Sequence, residues 1–539
     1  MNQEMKSLLA VGLSVAVFIL WYNYIAPKPQ QKPAAVATSE TPAVDGNKPD
    51  LNQVSKAVSA APLAGGEDPQ AQIPVKETLF ESDLYKVVLT NDGGIPISWQ
   101  MNKFKKNGGF VNMASVGATP LKETLSFAAL PAKPRYKIIE ESENHIVYLW
   151  KSNSIEITKR YQFDPKSYLM NLSWSVKNLG KEALSGKLTT EWPLVVHSEK
   201  KSMFSFLKGP QNQFNPVYFM DGKVHNDRIA GKVGRLFWAG VEDRYFISAM
   251  VPRESVETTS VTSNFEKIDD GSQLLKTSID VPIGPILPGS EATSQFGVYV
   301  GPKEMESLKI SGAYLEKAIN YGWFSFIAVP ILHLLRFFYG LIKNYGVAII
   351  ILTIFAKLLM YPLSRHSMKS MKAMQALQPK LKELREKYKN DKERLNMETM
   401  HLFRAHKVNP MGGCLPMLIQ LPIYIALYKV LWNSIELYRA PFFWFYRDLS
   451  APDPYFITPV VLGVFMWLQQ KMTPSASADP AQAKMMQIMP IMFTAFMLFL
   501  PSGLVLYILV NTATGVLQQW MTNNDVRVRD LLRGRIRSF

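Results

Sequence analysis

Tyr345 to Leu363 reads YGVAIIILTIFAKLLMYPL, an apolar run with one charge, Lys357, inside it. About 20 predominantly apolar residues are the length of a membrane-crossing helix. A charge deep in such a helix costs about 3 kcal/mol or more, so an ionisable residue there marks a functional position. Thr353 lies one turn earlier on the same helical face. A chain that keeps this lysine must surround it with other elements, and those elements are readable.

Residues 1–26 hold the first apolar run, Ser7 to Ile25, ending in Trp21, Tyr22 and Tyr24. Interfacial aromatics suit a retained anchor better than a cleaved leader, which ends in small residues. Residues 27–75 are rich in Pro, Ala, Ser and Gln and predict a disordered linker. Across 76–309 short alternating segments are separated by turn clusters such as Asn91-Asp92-Gly93-Gly94. Examples are 145–150, 154–158, 168–176, 245–251 and 274–281. This pattern predicts an all-β sandwich. It contains no metal-ligand spacing and no nucleophile–base pair. Glu242-Asp243-Arg244 is either a site or a corner salt bridge.

Residues 314–343 are apolar but interrupted by Pro330, His333 and Arg336, which predicts an amphipathic helix lying in the interface. The 345–363 span follows. Residues 364–409 predict a helical hairpin. Spans are then expected at 411–431, 456–472, 485–500 and 503–521, with loops at 432–455 and 473–484. Pro501-Ser502-Gly503 divides a run too long for one helix. The fold class is therefore a β domain plus an α-helical membrane core of five spans, with an N-terminal anchor helix and a helical hairpin.

The formal net charge is +16, and the excess is local. Arg365 to Lys407 carries twelve Lys/Arg against five Asp/Glu, and the tail 522–539 is Arg-rich. Basic segments flanking spans stay on the cytoplasmic side. Six spans put both basic segments and both termini inside and the β domain outside, in the periplasm. The patches also suit anionic lipid or nucleic acid. Lys380, Lys382, Arg385, Lys387, Lys389, Arg394, Arg533, Arg535 and Arg537 are the candidate docking cations. Cys414 is the single cysteine, so no intramolecular disulfide forms.

Polar residues in the spans fall in lines. Gln420, Tyr424 and Tyr428 recur every four residues; Tyr507, Asn511, Thr514 and Gln518 make a second stripe. With Thr353 and Lys357, these lines fit one hydrated pocket. Two plainer readings stand beside it: Lys357 snorkelling to headgroups, and a stripe that only binds helices together. The spans hold no acid–base carboxylate pair, zinc-binding helix, phosphate loop or nucleophile elbow. A lone cation in a wet half-membrane groove attracts acidic segments and lowers the cost of moving polar chain through lipid. That predicts a non-enzymatic role without cofactor or metal.

MYPLSRHSMKSMKAMQALQPKLKELREKY, KVNPMGGCLPMLIQLPIYIALY and FLPSGLVLYILVNTATGVLQQ resemble the signature blocks of the YidC membrane protein insertases. The anchor, linker and β domain resemble the Gram-negative members. The resemblance implies a periplasmic super-sandwich and a hydrophilic groove open to cytoplasm and lipid, with Lys357 where the family usually has Arg. Thr353, Gln420 and Tyr507 match groove positions, whereas Ile508 stands where relatives often have Tyr. Implied partners are nascent membrane proteins, the Sec translocon and the ribosome, met through the basic loops and tail. Anionic lipids are expected at the same basic segments, and the expected state is a monomer in the inner membrane.

Overall fold

The computed structural model describes residues 70–526, apart from 107–108, 114–120, 127–130, 132–133, 197–213, 254–258, 268–272, 390, 407, 409–414, 444–445, 473–479 and 525. The expected anchor at 1–26, most of the expected linker at 27–75, Cys414, and Arg533, Arg535 and Arg537 lie outside the described residues.

Alternating side chains build the β region. In IEITKRYQ (Ile155–Gln162), Ile155, Ile157, Lys159 and Tyr161 are buried, while Arg160 and Gln162 are exposed. Period-two patterning of this kind gives a sheet one buried and one wet face. Eighteen strands among the described residues form three antiparallel sheets. Strands β1 to β4 (Glu77–Glu81, Tyr85–Thr90, Ile95–Lys106, Gly109–Asn112) pair in chain order. A five-stranded sheet has the order β13 (Ile229–Val233), β16 (Ser260–Lys267), β17 (Gln273–Ile286), β10 (Leu184–Val196), β5 (Lys122–Leu125). The nine-stranded sheet begins β12 (Lys223–His225), β11 (Asn215–Met220), β14 (Leu236–Glu242), β15 (Phe246–Pro252). It continues β18 (Glu291–Pro302), β9 (Leu169–Asn178), β8 (Ile155–Gln162), β7 (His145–Lys151), β6 (Lys137–Glu141). The larger sheets pack face to face over one core that includes Trp99, Trp174, Trp192 and Trp238. Every strand-like segment named from the sequence falls in or overlaps one of these strands.

That core holds a charge pair. Lys159 Nζ lies 2.8 Å from Glu123 Oε2 and 2.9 Å from the Gly93 carbonyl, with the two side chains 2% and 0% exposed. The Tyr161 hydroxyl donates to the Gly94 carbonyl at 2.7 Å. Burial pushes the Lys159 ammonium below the ordinary lysine range, against the pull of Glu123. One side chain thus ties β8, β5 and the β2–β3 turn together.

Helix α1 (Met305–Ser311) closes the β region. Then come α2 (Ser325–Ile342), α3 (Tyr345–Leu359), α4 (Tyr361–Ala376), α5 (Gln378–Lys387), α6 (Lys392–Ala405), α7 (Leu415–Asn433), α8 (Ile457–Met472), α9 (Pro480–Met497) and α10 (Ser502–Asn523). In α2, Ala328, Leu332 and Leu335 face inward and Phe326, Phe337 and Leu341 face out, as an amphipathic helix requires. The segment 322–342, expected in the interface, is also long and apolar enough to cross a membrane, as is the bent pair α3–α4 taken as one.

Some expected bounds move. The lysine-bearing helix ends at Leu359, not Leu363, and α4 leaves it at 61°. Pro362 is the reason: it has no N–H to give the Leu358 carbonyl and suits the first turn of a new helix. The expected first arm of the hairpin is two helices, α4 and α5, with Pro379 in the first turn of α5. Helix α9 starts at Pro480 rather than 485, and α7 runs to Asn433.

Helix α10 is the hub of the helical region, packing on α3, α4, α7 and α8. Its N-terminus is held by the 432–455 loop: Ser502 N donates to the Ala451 carbonyl (2.7 Å) and Gly503 N to the Leu449 carbonyl (2.9 Å). The same loop caps α8. Asp453 Oδ2 accepts from the Thr458 N–H (2.7 Å), the Thr458 hydroxyl (2.6 Å) and the Tyr446 hydroxyl (2.7 Å).

Candidate functional site

Lys357 sits in the last turn of α3 and is half-buried. Its sequence position predicts a place about 9 Å inside the helix end. With α3 ending at Leu359, it lies only about 3 Å from that end. The ammonium approaches Gly515 of α10, 3.9 Å from where a β-carbon would be. The Gln469 amide nitrogen of α8 approaches the same point to 3.3 Å. Among the described residues no carboxylate lies within ion-pair distance of Lys357. The ammonium therefore meets a bare backbone and a neutral amide where α3, α8 and α10 converge.

The two polar lines of α7 and α10 meet each other. Gln420 Nε2 donates to the Tyr507 hydroxyl at 3.4 Å, and Asn511 Nδ2 donates to the Tyr424 hydroxyl. The rings of Tyr424 and Tyr507 contact edge-on, 5.7 Å between centroids. The two contacts cross between the helices, with the Tyr424 ring against Tyr507 and its hydroxyl on Asn511. Tyr507 and Asn511 are buried and Gln420 is half-buried. Thr514 is half-buried and its hydroxyl donates to the Val510 carbonyl at 2.7 Å.

Thr353 departs from the expected pocket lining. It is 1% exposed, and its hydroxyl donates to the Ile349 carbonyl of its own helix at 2.6 Å. A β-branched hydroxyl on a buried helical face satisfies itself this way. The polar lines of α7 and α10 thus form a ladder of contacts beside the Lys357–Gly515–Gln469 junction. Sequence reasoning missed Gly515 and Gln469. A glycine carries no polarity signal, and Gln469 is masked by neighbouring Gln470 and Lys471 at the helix end.

The basic hairpin has its own small core of Met374, Leu377, Leu381 and Phe403. Lys380, Lys382, Lys387, Lys389 and Arg394 are exposed and Arg385 is half-exposed. At 3.6 residues per turn, Lys380 and Lys387 flank one side of the buried stripe and Lys382 and Arg385 the other. Glu383 and Glu386 lie opposite it, so the outward face of α5 is mixed rather than uniformly basic. Lys387 and Arg394 approach the Tyr388 ring at 5.4 and 5.5 Å, and Lys380 Nζ lies 3.0 Å from His406 Nε2.

Glu242-Asp243-Arg244 resolves into three tasks. Glu242 pairs with Lys303 at 2.9 Å, with burial raising the carboxyl against the pull of that lysine. Asp243 Oδ1 accepts from the Tyr245 and Phe246 N–H groups, closing the corner. Arg244 reaches α7: its Nε donates to the Trp432 carbonyl at 2.7 Å and its guanidinium lies 3.7 Å from the Trp432 ring centre. Tyr438 continues this seam against Tyr245, Phe246 and Phe104, and its hydroxyl donates to the Lys105 carbonyl.

Family models cover both regions. The model described as YidC periplasmic domain matches residues 98–334, and that described as 60Kd inner membrane protein matches 337–529. The chain is 36% identical to the membrane protein insertase YidC of Geobacter metallireducens, over 97% of this chain and 99% of that one. It is 37% identical to the membrane protein insertase YidC of Syntrophus aciditrophicus, over 97% and 100%. A crystal structure described as an active YidC insertase with the first transmembrane domain resolved aligns over 82% of this chain and 92% of that one. Its TM-score is 0.38 at 18% identity. On the strength of the near-full-length identities, the chain belongs to the YidC family of membrane protein insertases.

Proposed function

We propose that the chain receives nascent hydrophobic polypeptides in a hydrated, cytoplasm-facing groove and releases them sideways into the inner membrane. The observation that carries this reading is the Lys357 junction. A cation held against Gly515 and Gln469, with no carboxylate partner among the described residues, is available to an acidic stretch of a client. Lys357 keeps the charge of the Arg usual in the family but presents a point charge instead of a bidentate fork. Attraction is retained and fixed pairing geometry is not. Gln420, Tyr424, Tyr507, Asn511 and Thr514 form the polar wall beside it.

The remaining parts follow the same reading. The β domain is periplasmic and both termini are cytoplasmic. The hairpin cations and the Arg-rich tail meet ribosomal RNA phosphate or anionic lipid, which makes that contact salt-dependent. The protein acts as a monomer, alone or beside the Sec translocon. Its relatives are named for insertion, a non-enzymatic activity.

The test is insertion of clients with acidic translocated tails into vesicles. Lys357→Ala lowers their insertion about tenfold, equivalent to ~1.4 kcal/mol, and Lys357→Arg retains it. Equal insertion by the two variants overturns the groove-charge mechanism. An anion transporter is the rival reading, and Lys357-dependent solute uptake would support it instead.

A further inference from the structure

We infer that the outer face of the nine-stranded sheet carries a binding site for a hydroxyl-rich saccharide. A cavity of about 620 Å³ opens there over β8, β9 and β18. Its lining includes Arg160, Gln162, Asp164, Asn171, Ser173 and Gln295.

The strand register builds it. Arg160, Ser173 and Gln295 are directly paired across three strands and form one rung. Gln162, Asn171 and Gly297 form the next rung on the same face, two residues along each strand. Gly297 leaves that second rung open at one end. The Arg253 guanidinium fills the gap, 3.2 Å from where a β-carbon would be, and donates to Asn171 Oδ1 at 2.8 Å. Asn171 is thereby fixed with its Nδ2 donors still free to act. Among the described residues the side chains of Gln162, Ser173 and Gln295 have no hydrogen-bond partner.

The chemistry of the lining selects the ligand. Amides and hydroxyls each donate and accept, as sugar hydroxyls do. Phe163 and Pro165 are the apolar residues of the lining, too few for an apolar ligand, whose pockets are mainly hydrophobic. A phosphate-like anion meets Asp164 in the lining, and Arg160 is already paired with Glu140 at 3.2 Å. A peptide adding as a strand needs a sheet edge, whereas β8, β9 and β18 are each paired on both sides.

The test uses the full chain in lipid nanodiscs, free of sugar detergents, with saturation-transfer NMR. The probes are a tetramer of N-acetylglucosamine and a tetramer of glucose, so an N-acetylated source is told from a plain glycan. Saturation transfer to at least one probe is expected. In a Gln162→Ala/Gln295→Ala double variant its dissociation constant rises about tenfold or more, or ~1.4 kcal/mol. Both amides are exposed, so unchanged thermal unfolding and unchanged client insertion separate lost binding from lost fold. Should the double variant unfold, Gln162→Glu/Gln295→Glu keeps the side-chain shape, removes both amide donors and is expected to weaken binding likewise. Silence from both probes at about 10 mM, where even weak sugar binding registers, overturns the inference. So does undiminished binding by the folded double variant.

Discussion

The Lys357 ammonium lies 3.9 Å from where a β-carbon on Gly515 would stand, so the space beside it is open only while α10 carries no larger side chain there. Gly515→Ala sets a methyl 3.3 Å from the flexible end of Gln469, which can yield. Replacing a mid-helix glycine by alanine also adds up to ~1 kcal/mol of helix stability. That variant is expected to insert clients normally and unfold slightly later. Gly515→Leu reaches the ammonium itself. It is expected to impair clients with acidic tails while sparing those without, measured side by side in vesicle insertion.

The Tyr424–Asn511 rung makes a stability prediction. Asn511 is 6% exposed and donates to the Tyr424 hydroxyl. Tyr424→Phe leaves that donor buried and unsatisfied, a loss of about 1–3 kcal/mol. Tyr507→Phe removes only the 3.4 Å contact with the half-buried Gln420 and should cost less. Thermal midpoints of the two variants in one detergent check the order.

Lys159 and Glu123 form a pair that is worse broken than absent. Lys159→Met strands a buried carboxylate and should lower the stability of the β region by about 3–5 kcal/mol. Adding Glu123→Leu should recover most of that loss. Denaturant unfolding followed by fluorescence of the buried tryptophans reads the difference between single and double variants.

Asp453 sets an acid limit. Burial raises its pKa, but the hydroxyl and N–H of Thr458, with Tyr446 and Tyr455, more than offset this and hold it below the ordinary 3.8. A depressed folded pKa means the stabilisation is complete above the unfolded value and is lost as pH falls through the folded one. The gap in thermal midpoint between wild type and Asp453→Asn should stay constant from neutral pH to about 5. Below that, it should close as the wild type loses its advantage.

Sequence pattern carried the strands because alternation is a local signal. In Ile155–Gln162 the same alternation places Lys159 on the inward face, yet a lysine in a strand reads as solvent-facing until Glu123, thirty-six residues away, supplies its partner. The α7–α10 ladder was half legible. Each stripe is visible alone, and their mutual pairing needs the fold. The Thr353 hydroxyl bonds its own helix, as the Thr514 hydroxyl does, and a sequence does not show which hydroxyls satisfy themselves in this way. The early end of α3 was written in Pro362. Arg244 could not be assigned to Trp432 across 188 residues, since nothing local distinguishes a corner charge from one that reaches another element.

The Arg244–Trp432 clasp has a mechanical corollary. A helix free in lipid finds its depth from hydrophobic matching, and it drifts with bilayer thickness. Helix α7 is tethered at Trp432 to a rigid β scaffold, so sliding it inward would strip the indole from beneath the guanidinium. Tyr424 and Gln420 lie about 12 and 18 Å along the axis from that anchor. Their level is gauged from the sheet, like marks on a plumb line, whatever lipid surrounds them.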